Sequence, residues 1–352
     1  MSTQTGNVSL YDFRTLLGVV QQMPREHTFL RDTFFPTTKT FMTKEVDIDI
    51  IGPDKRKLAP FVHRYTGGTF SYRDGYSTKS YQPARIAPMM ITTADEAFTR
   101  APGETIYSQF NPAQRMNAIV ADNLKQLDKQ ITRREEWMAA QALFTGKIEM
   151  KGEGVNDVLT MWDNAKKPET DIATKWDQPN ATPFDDLVAC VDKVGELSGR
   201  TANKLIVGRK VLKVLMNFLV KDGSLDPRRI NLGHIEPAKV QANGVQYIGT
   251  LLYPHLDIYA YTETFVDDAG TNTPLVPDNI AFLASDGAMT TRAYGIVDII
   301  DENNNIRFVE GSRVANSWVQ RDTPAGRVVQ MISHPLMIVN EPYAFHVMKV
   351  LS

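Results

Sequence analysis

Hydrophobic side chains recur at three- and four-residue spacing from Met116 through Ile119, Val120, Leu124, Leu127 and Ile131 to Met138, with charged residues between them. That spacing puts the apolar positions on one face of a helix. Asn111 is placed to cap its start, Pro112 suits the first helical position, and Gly146 is a natural stop. The pattern predicts a single helix over residues 111–145, about 50 Å long at about 1.5 Å per residue. No proline or glycine interrupts it after Pro112, so it reads as a scaffold beam.

The flanks read differently. Residues 1–35 form an arm with helical spacing through Phe13, Leu16, Leu17 and Val20, broken by Pro24 and closed by Pro36. A helix that short is not stable alone, so the arm is expected to pack on the body or on a neighbour. Val46, Ile48 and Ile50 alternate with Glu45, Asp47 and Asp49, the period-two pattern of a half-exposed strand. Turn signals follow at Gly52-Pro53-Asp54, Gly67-Gly68 and Asp74-Gly75, before a second strand-like pattern from Arg85 to Thr92. Residues 36–98 therefore predict a projecting β-hairpin, which alone is marginal in water. After the beam come a short hairpin over 147–162 and a polar loop over 163–182. A mixed α/β stretch follows, with helices over 183–198 and from Arg209 to Val220. Strands are predicted at Lys204–Gly208, Gln246–Leu252, Asp257–Phe265, Ile280–Ala284 and Met289–Ile296. The chain closes with strands at Val328–Ser333, Leu336–Val339 and Phe345–Val350.

Composition narrows the function classes. A chain of 352 residues suggests about two compact units, enough to bury a core. A formal net charge of −2 argues against a chain devoted to coating nucleic acid. The lone Cys190 cannot form an intrachain disulfide or a cysteine-based zinc site, and on an amphipathic helix it reads as a buried thiol. Such a chain suits a reducing cytoplasm. No apolar run reaches a membrane span and Met1 to Leu10 is polar, so the expectation is a soluble product with no membrane contact.

Catalytic constellations are missing. There is no phosphate loop, dinucleotide fingerprint or nucleophile elbow. The six histidines are scattered without metal-ligand spacing. Glu45, Asp47 and Asp49 share a strand face and could attract a hard cation, or simply be solvated. The reading is no enzyme, no cofactor and no metal. Basic residues on the hairpin (Lys55, Arg56, Lys57, Arg64, Arg73, Lys79 and Arg85) and the pair Arg228-Arg229 are candidate contacts between subunits. Lys55-Arg56-Lys57 also fits nucleic acid or a solvated run, and Arg228-Arg229 also fits a solvated loop.

The order of elements then carries the argument: arm, long β-excursion, single long helix, small hairpin, α/β stretch, closing strands. That order resembles the α+β capsid fold of phage Hong Kong 97. Short stretches resemble more closely the lambda-type major capsid protein family of tailed phages. They are Phe34-Phe35-Pro36, Arg64 with Gly67-Gly68, Leu143 with Gly146-Lys147, and Leu225-Asp226 with Arg228-Arg229. Pro277-Asp278-Asn279, Arg292, Tyr294-Gly295, Asn316-Ser317-Trp318, Ser333, Pro335-Leu336-Met337 and the terminal strand from Phe345 to Leu351 follow collinearly.

The resemblance implies a structural head protein that assembles into hexamers and pentamers of an icosahedral shell around double-stranded DNA, contacted non-specifically. It implies an N-terminal arm at 1–35, an extended loop at 36–98 and a peripheral domain with its spine helix at 99–165. An axial domain at 166–320 and strands returning to the peripheral domain at 321–352 complete it. A separate scaffolding protein, a portal and a decoration protein are the implied partners, and a virion assembled in the bacterial cytoplasm is the implied location. An encapsulin-like nanocompartment shell of the same fold is the alternative. An α/β enzyme with a cryptic site is a third class.

Overall fold

The computed structural model describes residues 13–23, 27–52, 58–59, 61–62, 76–99, 111–152, 154–162, 167–222, 244–251, 253–267, 270–300 and 305–352. The chain opens with helices α1 (Phe13–Gln22) and α2 (Phe29–Phe34), then strands β1 (Thr38–Thr40), β2 (Val46–Ile51), β3 (Tyr76–Tyr81) and β4 (Met89–Thr93). A short helix α3 (Ala94–Phe98) precedes the long helix α4 (Pro112–Phe144) and the hairpin β5 (Lys147–Gly152) and β6 (Val155–Thr160). Strand β7 (Glu169–Asp171), helix α5 (Pro183–Ser198), strand β8 (Lys204–Val207) and helix α6 (Arg209–Asp222) follow. Then come β9 (Val245–Leu251), β10 (Leu256–Tyr261), β11 (Thr264–Val266), β12 (Asn272–Pro274), β13 (Ile280–Ala284) and β14 (Thr290–Tyr294). The last strands are β15 (Val297–Ile300), β16 (Ile306–Val309), β17 (Val314–Gln320), β18 (Gly326–Ile332), β19 (Pro335–Val339) and β20 (Phe345–Lys349).

Local chemistry fixes the ends of α4. Asn111 Oδ1 accepts the Gln114 N–H at 2.8 Å while Gln114 Oε1 accepts the Asn111 N–H at 3.0 Å, so two donors without helical partners are satisfied. At the far end Gly146 has φ +63°, and a Cβ there would lie 1.9 Å from the Trp162 indole. Backbone conformation and close approach both demand glycine.

Two halves of α4 bury against different partners. Val120, Leu124, Leu127 and Ile131 pack with Leu16 and Val20 of α1 and with Ala315, Val329 and Met331 of the sheet β17–β18–β4. Met138, Ala139, Ala142, Leu143 and Phe144 enter the main core with Phe29, Phe34, Phe282 and Phe345. The helix thus bridges two sheets. The arm packs on the body of its own chain, which settles the open choice for the described residues.

The second sheet has six strands in the order β7–β20–β13–β8–β10–β9. Its β13 is buried on both faces, which explains the uninterrupted apolar run Ile280–Ala284. Ala281 and Leu283 meet Leu187, Cys190 and Val194 of α5 and Val211 and Leu215 of α6. Ile280, Phe282 and Ala284 face the main core on the other side.

Two expectations change. The stretch 163–182 is more than a polar loop: β7 pairs with β20, and Trp176 and Ile172 are buried. Their apolar partners come from α5 and from the far end of the chain, so local polarity hides them. Strands β15, β16 and β17 arise from 297–320, where none was predicted. Strands β17 and β18 pair along their whole lengths, and β20 lies in the six-stranded sheet.

Candidate functional site

The middle of α4 is where charge concentrates. Glu135 is fully buried, and Glu136 beside it is 2% exposed. Glu135 Oε1 accepts from Arg313 Nη1 at 2.7 Å and the Tyr294 hydroxyl at 3.0 Å. Its Oε2 accepts from Arg313 Nη2 at 2.8 Å and Arg31 Nη1 at 3.1 Å. Arg313 Nε donates to Asp128 at 2.9 Å. Arg31 forks onto Asp32 at 2.9 and 3.0 Å, and Arg292 reaches the same Asp32 carboxylate at 3.1 Å. Three guanidiniums (Arg31, Arg292, Arg313) thus face three carboxylates (Asp32, Asp128, Glu135), and the hub closes electrically.

Burial alone would push Glu135 upward, but Arg313 and Arg31 hold it below the usual carboxylate range. Tyr294, raised by burial and by Glu135, is pushed up to about 12. Glu136 goes the other way: burial raises it, against the Arg31 and Leu30 N–H groups that it accepts at 2.8 Å each. The Tyr261 hydroxyl lies 2.8 Å from Glu136 and 2.6 Å from Glu263. One phenolic proton can serve only one of the two carboxylates at a time.

The chemistry of this hub is mechanical. Both oxygens of Glu135 are taken twice over, leaving no site for a substrate or ion. The bonds tie the arm (Arg31, Asp32), the beam (Asp128, Glu135, Glu136), β14 (Arg292, Tyr294), the residue before β17 (Arg313) and the end of β10 (Tyr261). Buried ion networks add little net stability against apolar packing, but breaking one is costly. Their use here is to fix how five segments meet. Among the described residues, no group of His, Cys, Asp and Glu is arranged to hold a metal, and no helix is long and apolar enough to cross a membrane.

The sequence reading missed this hub. One signal was available: Asp128, Thr132 and Glu135 continue the buried face of Leu124, Leu127 and Ile131. Carboxylates on an apolar stripe need partners, but those partners are about 100 and 180 residues away in sequence.

Of the predicted contact residues, Lys55, Arg56, Lys57, Arg64, Arg73, Arg228 and Arg229 lie outside the described residues. Lys79 lies on β3 opposite Ile48, and its ammonium is 3.3 Å from the Thr160 carbonyl. Arg85 lies 4.0 Å from Asp298. The structure does not bring these two together. The hairpin root is firmly built: Val46 and Ile48 are buried in the main core while Asp47 and Asp49 point to solvent. The Glu45, Asp47 and Asp49 face is exposed, with Glu45 and Asp49 taking Ser80 and Thr78 hydroxyls. Between β2 and β3, Leu58 is 93% exposed and Phe61 is fully exposed. Cys190 is buried and its thiol is raised by that burial, as expected of an inert core thiol.

Comparison with known proteins decides the family. The model of the phage major capsid protein E family matches residues 12–350. The chain belongs to this family. A prophage-derived major head protein of Escherichia coli is 26% identical over 345 residues, covering 97% of this chain and all of that protein. The major capsid protein of Escherichia phage lambda is 25% identical over 346 residues, 96% of this chain and 98% of that protein. A crystal structure of an Escherichia coli prophage capsid protein superposes with a TM-score of 0.71 at 21% identity, over 96% of this chain and 99% of that one. The lambda-type resemblance and the α+β capsid fold of the sequence reading therefore hold. The family is structural rather than enzymatic, and the chain is a subunit of a homo-oligomeric capsid.

Proposed function

We propose that this chain is the major head protein of a tailed phage or prophage, closing as hexamers and pentamers into an icosahedral shell around double-stranded DNA. The observation that carries the reading is the near-complete alignment with head and capsid proteins of phages and prophages. Those relatives support a phage head over a nanocompartment. In this reading the six-stranded sheet with α5 and α6 is the axial body, and α4 with β4, β17 and β18 is the peripheral body. The β2–β3 excursion is the strap between subunits, with Leu58 and Phe61 exposed on it and Lys55, Arg56, Lys57, Arg64, Arg73, Lys79 and Arg85 as its polar contacts. Arg228 and Arg229 serve a second contact. Apolar and aromatic side chains left in water mark a surface that a partner covers. A scaffolding protein, a portal and a decoration protein complete the assembly, built in the bacterial cytoplasm and ending as the virion shell.

The test is electron microscopy of the chain expressed alone and with the scaffold candidate encoded beside it. Closed shells of uniform diameter are expected. A stable monomer under both conditions, by sedimentation, contradicts the reading.

A further inference from the structure

Tyr261 ends β10 and packs against the arm, its ring centroid 5.4 Å from that of Phe29. Its buried hydroxyl oxygen lies 2.8 Å from Glu136 Oε1 and 2.6 Å from Glu263 Oε2. Both separations are hydrogen-bond lengths for a hydroxyl against a carboxyl oxygen, about 2.5–3.0 Å. The phenolic proton fills one of these gaps. The other gap then sets two oxygens at bonding distance with no proton between them. A proton on one carboxyl, donated to the phenol oxygen, fills it. Burial raises Glu136 in the same sense. The arginines of the hub are bound to other carboxylates: Arg31 and Arg313 to Glu135, and Arg292 to Asp32. Tyr294 donates to Glu135. Tyr259, also packed on Phe29, is pushed up to about 12 by burial and keeps its proton. On the arm, exposed His27 lies 3.7 Å from Asp32.

We infer that docking of the arm is proton-linked: Glu136, Tyr261 and Glu263 hold one proton beyond the phenol's own, taken up when residues 28–35 cover them and released when those residues lift away. Glu136 is the point of contact, because it accepts the main-chain N–H groups of Leu30 and Arg31 at 2.8 Å each. Half-buried Glu263 gives the proton its path to solvent. Two ionised carboxylates on one buried hydroxyl repel each other, so the pair titrates as one unit and binds its shared proton more tightly than a free glutamate does. Its folded value thus lies above its unfolded one. The contribution is full in acid and is lost as pH rises through the folded value. The arm therefore docks more firmly in mild acid than in mild alkali. The proton belongs to the folded subunit, whatever that subunit builds.

The experiment is hydrogen exchange over residues 27–35 of the unassembled full-length chain, corrected for intrinsic rates and read as an opening constant at several pH values. One proton released on opening makes that constant rise about tenfold per pH unit between about pH 6 and about pH 8. Glu263→Gln keeps the side chain's shape, removes one charge and leaves the phenolic proton to Glu136. Its opening constant should climb less steeply than wild type by about tenfold per pH unit. His27 is present in both chains, so its titration cancels in the difference. Asp192→Asn, at an exposed carboxylate on α5, should keep the wild-type slope. A carboxylate that only props the fold would change the opening constant by one factor at every pH, so parallel lines for wild type and Glu263→Gln overturn the inference. If that variant does not fold, wild type labelled at its glutamate carboxyl carbons decides. One resonance at the protonated position at neutral pH, moving to the ionised position on unfolding, is expected, and its absence overturns the inference.

Discussion

The middle of α4 and the segment between β2 and β3 use their side chains in opposite ways. At the hub, charged groups are buried and each carboxylate is matched inside the chain, with Glu135 at 0% exposure. Between β2 and β3, apolar groups stand in water, with Leu58 at 93%. The first arrangement is complete within one subunit. In the proposed assembly, a neighbouring subunit covers the second. On that proposal folding information and assembly information occupy different parts of the chain, and substitutions should separate them.

The largest effect should come from breaking the hub. Arg313→Met leaves Glu135 with Arg31 and Tyr294 only, and Asp128 without the Arg313 guanidinium that it accepts from. Removing one partner of a buried pair costs roughly 3–5 kcal/mol, read as a shift of the denaturant midpoint. Leu127→Ala, at a fully buried position between α4 and the β17–β18–β4 sheet, should cost about 2–5 kcal/mol by the same measurement. A midpoint unmoved by either change would erase the distinction between the two regions.

Acid should act on the body next. Glu135 is held below its ordinary range, so its contribution is full above that range and lost as pH falls through it. His346, buried and near Lys193, has its pKa lowered to about 4 from 6.5. The unfolded chain takes up a proton on this histidine first, so stability declines as pH drops from about 6.5 towards 4. Glu136 has the opposite sign, because its raised value contributes most at low pH and is lost as pH rises. The unassembled chain should melt lower at pH 4 than at pH 7, and His346→Gln should flatten the upper part of that decline. The smallest effect on the body should be Phe61→Ser. Exposed substitutions usually stay within about 0.5 kcal/mol, so its melting should match wild type while its yield of shells falls.

What could be read from sequence follows the same division. The α4 helix was legible from Met116 to Met138 because its caps and its apolar spacing are local. The run Ile280–Ala284 was legible because a strand buried on both faces is apolar throughout. Strands β15 to β17 were not, since Asp298, Arg307, Asn316 and Ser317 interrupt their apolar positions. Trp176 looked like part of a polar loop because the residues that bury it come from α5 and β20. Of the hub, the inward positions of Asp128 and Glu135 were visible on the helical wheel, but Arg31 and Arg313 could be assigned to them only by tertiary structure. The predicted contact residues remain a proposal, resting on the exposed segment and the family.

The account's central claim is that the body folds without the segment between β2 and β3 and that shells do not close without it. Because Tyr76–Tyr81 pairs with β2 and Tyr81 packs on the main core, the segment to replace is 55–75, with a short Gly-Ser turn. One preparation is melted and imaged by negative stain beside wild type. The account predicts an unchanged melting transition and no closed shells. Loss of the folded subunit, or shells that close as in wild type, would contradict it.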